Sequence, residues 1–140
     1  MFALFLFVVY LLIASVYDLY MHRIPNWLNY IAIFVLFGAS GMSMASLIGW
    51  LGMGVVLFVV AYFNVIGAGD WKMGMVMGAA LGFLPALIVF AVSQAFAPLA
   101  RPITRRFSDK RGVPMAPLVM VVFVVGWSIV ASTTKHVGIW

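Results

Sequence analysis

The sequence predicts an all-α fold: a polytopic membrane helix bundle of about six helices, some of them short, forming a single domain over residues 1–140. Three observations lead there. Of the 140 residues, 66% are hydrophobic and only 8% charged, whereas a globular domain in water is roughly a quarter charged. The mean hydropathy is +1.20. The apolar stretches are also divided by short polar, glycine or proline breaks, at intervals suited to helices that cross or enter a bilayer.

The first segment, residues 2–17, is apolar and ends in the polar run Asp18-Leu19-Tyr20-Met21-His22-Arg23. No Lys or Arg precedes Arg23, so the basic n-region of a signal peptide is missing and the segment reads as a retained helix. Pro25 suits the first turn of a second helix, residues 27–37, which stops at Gly38-Ala39-Ser40-Gly41. A third helix, residues 45–66, carries Gly49, Gly52 and Gly54, small residues that let membrane helices approach closely. The tetrapeptide Gly67-Ala68-Gly69-Asp70 closes it. Residues 71–100 are too long for one span and are interrupted at Gly82-Phe83-Leu84-Pro85. They divide into helices over 71–81 and 85–99. A basic loop, residues 101–111, precedes a last helix that starts near Pro117 and fades near Ser132.

The charge pattern supports that division. With two short helices in place of one long span, Arg23, Lys72 and the five basic residues of the 101–111 loop share one side, leaving Lys135 opposite. That is the asymmetry expected of a cytoplasmic face, with both termini outside. The formal charge of +5 therefore reads as membrane orientation and lipid head-group contact, with no nucleic-acid partner. There is no cysteine, which excludes disulfides, thiolate catalysis and cysteine-based zinc sites. No phosphate loop or cofactor motif is present, and His22 and His136 fall on opposite faces, so neither a cofactor nor a metal is expected.

The acidic residues are the most informative. The chain has three, Asp18, Asp70 and Asp109. Asp18 and Asp70 both abut apolar segments at the same predicted face, and a carboxylate there is costly enough to mark a functional site. Two such groups can share a proton and activate a water, the chemistry of an aspartic peptidase. The structural alternatives are an N-cap role for Asp70 and a solvated ion pair of Asp18 with Arg23 or His22. Asp109, among Arg105, Arg106, Lys110 and Arg111, reads as a solvated ion pair. Each aspartate's own helix end places the shared proton on Asp18, at a helix C-terminus, and the charge on Asp70, at a helix start. The glycines flanking Ala68 allow a tight turn and close approach of a substrate backbone.

The same residues carry a family resemblance. Asp18-Leu19-Tyr20-Met21-His22-Arg23-Ile24-Pro25-Asn26-Trp27-Leu28 resembles the first aspartate motif of the type IV prepilin peptidases, and Gly67-Ala68-Gly69-Asp70-Trp71-Lys72 resembles their GxGDxK motif. Arg111-Gly112-Val113-Pro114-Met115-Ala116-Pro117 is similar to their proline-containing approach to the last helix. The resemblance implies a bacterial inner-membrane aspartic endopeptidase that cuts short basic leaders from prepilins or pseudopilins at the cytoplasmic face. Asp18 and Asp70 take the catalytic positions; Arg23, Pro25, Asn26, Gly67, Gly69 and Lys72 fall on the supporting motif positions. Larger members carry a cysteine-bearing cytoplasmic insertion and methylate the product. The absence of both here implies the short form of tight-adherence (Flp) pilus systems, with an unmethylated product. Trp71, where a small aliphatic residue is usual, and Met73-Gly74, where leucines are common, depart from the pattern. The readings from other classes are a small proton-coupled carrier or channel and a non-enzymatic assembly factor. A presenilin-like protease is a further rival, since Tyr17-Asp18 and Pro85-Ala86-Leu87 echo its motifs.

Overall fold

A computed structural model describes residues 2–21, 23–63, 65–104 and 115–137, with the side chains of 100, 101, 103, 104 and 130–137 excepted. Its order is α1 (Phe2–Met21), α2 (Asn26–Ala39), α3 (Met44–Tyr62), α4 (Ala68–Leu81), α5 (Phe83–Thr104) and α6 (Met115–Val137). There is no strand among the described residues. The six-helix all-α fold expected from the sequence is the one observed. Asp109, His22 and the 105–111 part of the basic loop lie outside the described residues, as do the side chains of Lys135 and His136.

Local chemistry explains the helix boundaries. Pro25, at φ −60° and ψ 136°, is the N-cap of α2, and its carbonyl accepts the Leu28 amide at 3.1 Å. Gly41 and Met42, at φ +62° and +50°, turn the chain after α2. The Ser43 hydroxyl then caps α3 by accepting from the Ser46 amide at 3.3 Å. α3 ends at Tyr62, earlier than its hydropathy suggests, and the Gly67–Asp70 stretch opens α4 rather than closing α3. A single residue joins α4 to α5: Gly82, at φ +82° and ψ 173°. That conformation is open to glycine and costly for other residues, and it reverses the chain where the sequence predicted a break.

Four contacts orient the bundle. The Asp18 carboxylate meets the start of α6, and Lys72 meets Asn26, so the C-terminal end of α1 and the N-termini of α2, α4 and α6 lie at one end. At the opposite end the Ser46 hydroxyl donates to the Ala79 carbonyl, and Gly52 faces the Phe83 ring. α5 therefore runs back toward the Asp18 end. α1 and α3 are long and apolar enough to cross a membrane, with hydropathies of 2.3 and 2.2, and Asn26–Ala39, Phe83–Leu99 and Met115–Ile129 are shorter apolar helices.

α4 is the innermost element. Met73, Gly74, Val76, Met77, Gly78 and Ala79 are buried, and α4 packs on α1, α2, α3 and α5. Its closest partner is α3, through backbone-to-backbone contact: a Cβ on Gly49 would collide with the Gly78 carbonyl oxygen, and one on Gly78 with that of Gly49. A Cβ on Gly74 would meet Leu57. The core continues through Phe7, Leu11, Leu36, Met53 and Val119. Outward faces carry large exposed apolar side chains, among them Phe34, Val55 and Leu84.

Candidate active site

Asp18 sits in the last turn of α1, on the inward face with Ala14 and Tyr10, and only 8% of it is exposed. Its Oδ2 accepts the backbone amide of Ala116 at 2.9 Å. Ala116 is the second residue of α6, so the carboxylate faces the positive end of that helix, an environment that stabilises negative charge. Judged from α1 alone, Asp18 stood at an unfavourable helix end. The neighbouring helix supplies the opposite field.

Asp70 is the third residue of α4, half-buried at the same end of the bundle and outside the two long apolar helices. Its Oδ2 accepts the Gly67 amide at 3.3 Å, so it also caps its own helix. Burial pushes its carboxyl up to about 6; the Gly67 amide lowers it, and the negative charge of Asp18 raises it. The two carboxylates, 52 positions apart in sequence, are thus close enough to act on one another electrostatically.

The Lys72 ammonium donates to Asn26 Oδ1 at 2.7 Å, tying the first turn of α4 to the first turn of α2. Pro25 caps α2, and Arg23 is exposed in the link before it. Gly67 and Gly69 are exposed and neither has positive φ. Their lack of a side chain is not required by a turn; at Gly69 a Cβ would meet nothing within 4 Å. Trp71 points away from the aspartates, with its Nε1 donating to the Gly54 carbonyl at 2.8 Å and its ring 5.3 Å from that of Phe58. The larger side chain is accommodated against α3, between Gly54 and Phe58.

Two features were not anticipated from the sequence. One is the Ala116 amide; Pro117, at the first turn of α6, was its only signal. The other is a buried pair below Asp18, in which the Tyr10 hydroxyl donates to Asn29 Oδ1 at 2.7 Å. Both are polar residues in apolar helices, and Asn29 is 1% exposed.

Residues 5–100 match the sequence profile described as the type IV leader peptidase family, a stretch that contains both aspartates and α1 through most of α5. The chain belongs to the type IV leader peptidase family. No curated protein and no solved structure matches the chain. Membership assigns a leader-peptidase type of activity. The Ala116 amide that reaches Asp18 comes from beyond the matched stretch.

Proposed function

We propose that this protein is a membrane aspartic endopeptidase that removes the basic leader from Flp-type prepilins or pseudopilins at the cytoplasmic membrane face. The observation that carries the aspartic class is the convergence of Asp18 and Asp70 at one end of the bundle, with Asp18's charge acting on Asp70. Membrane placement is supported by the two long apolar helices and the large apolar side chains on the outer faces. Cytoplasmic orientation rests on the basic residues gathered at the aspartate end of the sequence pattern.

In this mechanism Asp18 is the ionised base, supported by the Ala116 amide and the start of α6. Asp70, pushed up by burial, carries the shared proton. This reverses the assignment drawn from each aspartate's own helix. Asp18 takes a proton from water as the water oxygen adds to the scissile carbonyl carbon, and Asp70 gives its proton to the carbonyl oxygen. The resulting diol collapses: the C–N bond breaks, Asp18 passes its proton to the leaving nitrogen, and a hydroxyl proton returns to Asp70. Lys72 and Asn26 hold α4 against α2 and so fix the separation of the two acids. The open surface at Gly69 lets an extended peptide approach Asp70.

The test is co-expression with a prepilin bearing a basic leader before an apolar helix, followed by mass analysis of its N-terminus. Loss of the leader supports the reading. Retention of the intact leader beside abundant enzyme contradicts it and favours a carrier or assembly role.

A further inference from the structure

Tyr10 and Asn29 form a buried polar pair that the proposed mechanism does not use. The Tyr10 hydroxyl donates to Asn29 Oδ1 at 2.7 Å, joining α1 to α2, and the two residues are 4% and 1% exposed. That bond occupies the amide oxygen and turns Nδ2 the other way. Asn29 Nδ2 has no hydrogen-bond acceptor among the described residues. A buried amide donor without an acceptor is costly, and Phe with Leu would fill similar space without it. A clamp between two helices uses the oxygen and leaves the nitrogen unexplained.

The place of the pair in the bundle supplies an acceptor. Tyr10, Ala14 and Asp18 follow one another at intervals of four, so they form one stripe on the inward face of α1. Ala14, between the two polar groups, is fully buried and contributes only a methyl. The charge of Asp18 reaches the Tyr10 hydroxyl along that stripe. Asn29 lies one turn, about 4.5 Å, into α2 from Asn26, which marks the aspartate end through its bond to Lys72. Side chains lean toward the N-terminus of their own helix, so Asn29 leans toward the level of Asp18.

We propose that Asn29 positions Asp18 through one internal water: Nδ2 donates to the water, and the water donates to the Asp18 carboxylate from the core side. The role given to Asp18 rests on the aspartic-peptidase reading above. A buried water makes about three hydrogen bonds, and Asn29 Nδ2, the Tyr10 hydroxyl oxygen and the Asp18 carboxylate are the groups that meet that need. The Ala116 amide holds Oδ2 from α6 and the water holds the carboxylate from the side of α2, which fixes its plane. Tyr10 in turn fixes which way the Asn29 amide faces.

Two measurements on the full-length protein test this. The chain has three asparagines, Asn26, Asn29 and Asn64. Asparagine-selective 15N labelling therefore gives three side-chain amides, and Asn26→Asp and Asn64→Asp assign the third to Asn29 without altering it. In solubilised wild-type protein the Asn29 Nδ2 protons should show a cross-relaxation peak to a long-lived water, and their shifts should move in Asp18→Asn. Absence of the water peak, or shifts indifferent to Asp18→Asn, would reduce the pair to a clamp and overturn the proposal. The second measurement is kinetic. Asn29→Leu, of similar volume, should lower kcat on a prepilin by about tenfold or more with KM changed by less than about twofold. Tyr10→Phe breaks the clamp but keeps the amide, so its kcat loss should be smaller, although both variants lower the unfolding temperature. An equal or larger kcat loss in Tyr10→Phe would also overturn the proposal. The spectroscopic result needs no cleavage: a persistent water peak in a protein that cuts no prepilin supports the water site while rejecting the peptidase reading.

Discussion

Asp18 and Asp70 are chemically identical side chains in different surroundings. Asp18 is buried and accepts an amide from the start of α6, whereas Asp70 is half-buried and its carboxyl is pushed up to about 6 by burial, with the Gly67 amide lowering it and the charge of Asp18 raising it. A raised value means that Asp70 holds its proton below about pH 6 and loses it above. On the proposed mechanism, kcat/KM should therefore decline on the alkaline side as that proton is lost. Infrared titration of the solubilised protein should show a protonated-carboxyl band that fades as pH rises through about 6 and is missing from Asp70→Asn. A band with that titration persisting in Asp70→Asn would instead assign the proton to Asp18. Trp71 is a second residue-scale case. Trp71→Phe keeps an aromatic ring near Phe58 but removes the bond to Gly54 and part of the packed indole, so it should cost about 1–2 kcal/mol in unfolding. Cleavage should be little changed, because the side chain points away from the carboxylates.

At the scale of helices, the decisive contact is the glycine crossing of α3 and α4, which lets α4 reach the centre of the bundle and carry Asp70 with it. Gly49→Val or Gly78→Val forces a side chain into the facing backbone carbonyl, where nothing flexible can yield. Each should destabilise the protein by about 3 kcal/mol or more, read as a lower unfolding temperature in detergent. Gly38→Ala, with open space around it, should be neutral or slightly stabilising. The existence of six helices was legible because apolar runs and the Gly82 break are written locally in the chain. Asp18 and Asp70 stood out as a pair because acidic residues are scarce in so apolar a sequence, whereas Asn26 and Lys72 were named only by the resemblance to the family motifs. What could not be read were the long-range partners. The start of α6 lies 98 positions from Asp18, and nothing near Asp18 indicates that its field will be that of another helix. The boundary of α4 was also misplaced, because Gly67 and Ala68 resemble a turn until Asp70 bonds back to the Gly67 amide and draws them into the helix.

For the whole molecule, the chain reverses direction at each link, and the aspartates, Lys72 and the start of α6 gather at one end. Single cysteines at Ser43 and Val65, both exposed and in links at opposite ends of α3, should label from opposite sides of the membrane in this cysteine-free protein. Labelling of both from the same side would contradict the spanning arrangement. The central claim is that Asp18 and Asp70 act as one catalytic pair, and their nearly isosteric amides test it most directly. Asp18→Asn and Asp70→Asn, expressed beside wild type and assayed on one prepilin with membrane abundance measured in parallel, should each accumulate normally. Each should cleave less than about a thousandth as fast as wild type, the order of loss expected when one member of a concerted acid–base pair is removed. Substantial cleavage by either variant at normal abundance would contradict the account.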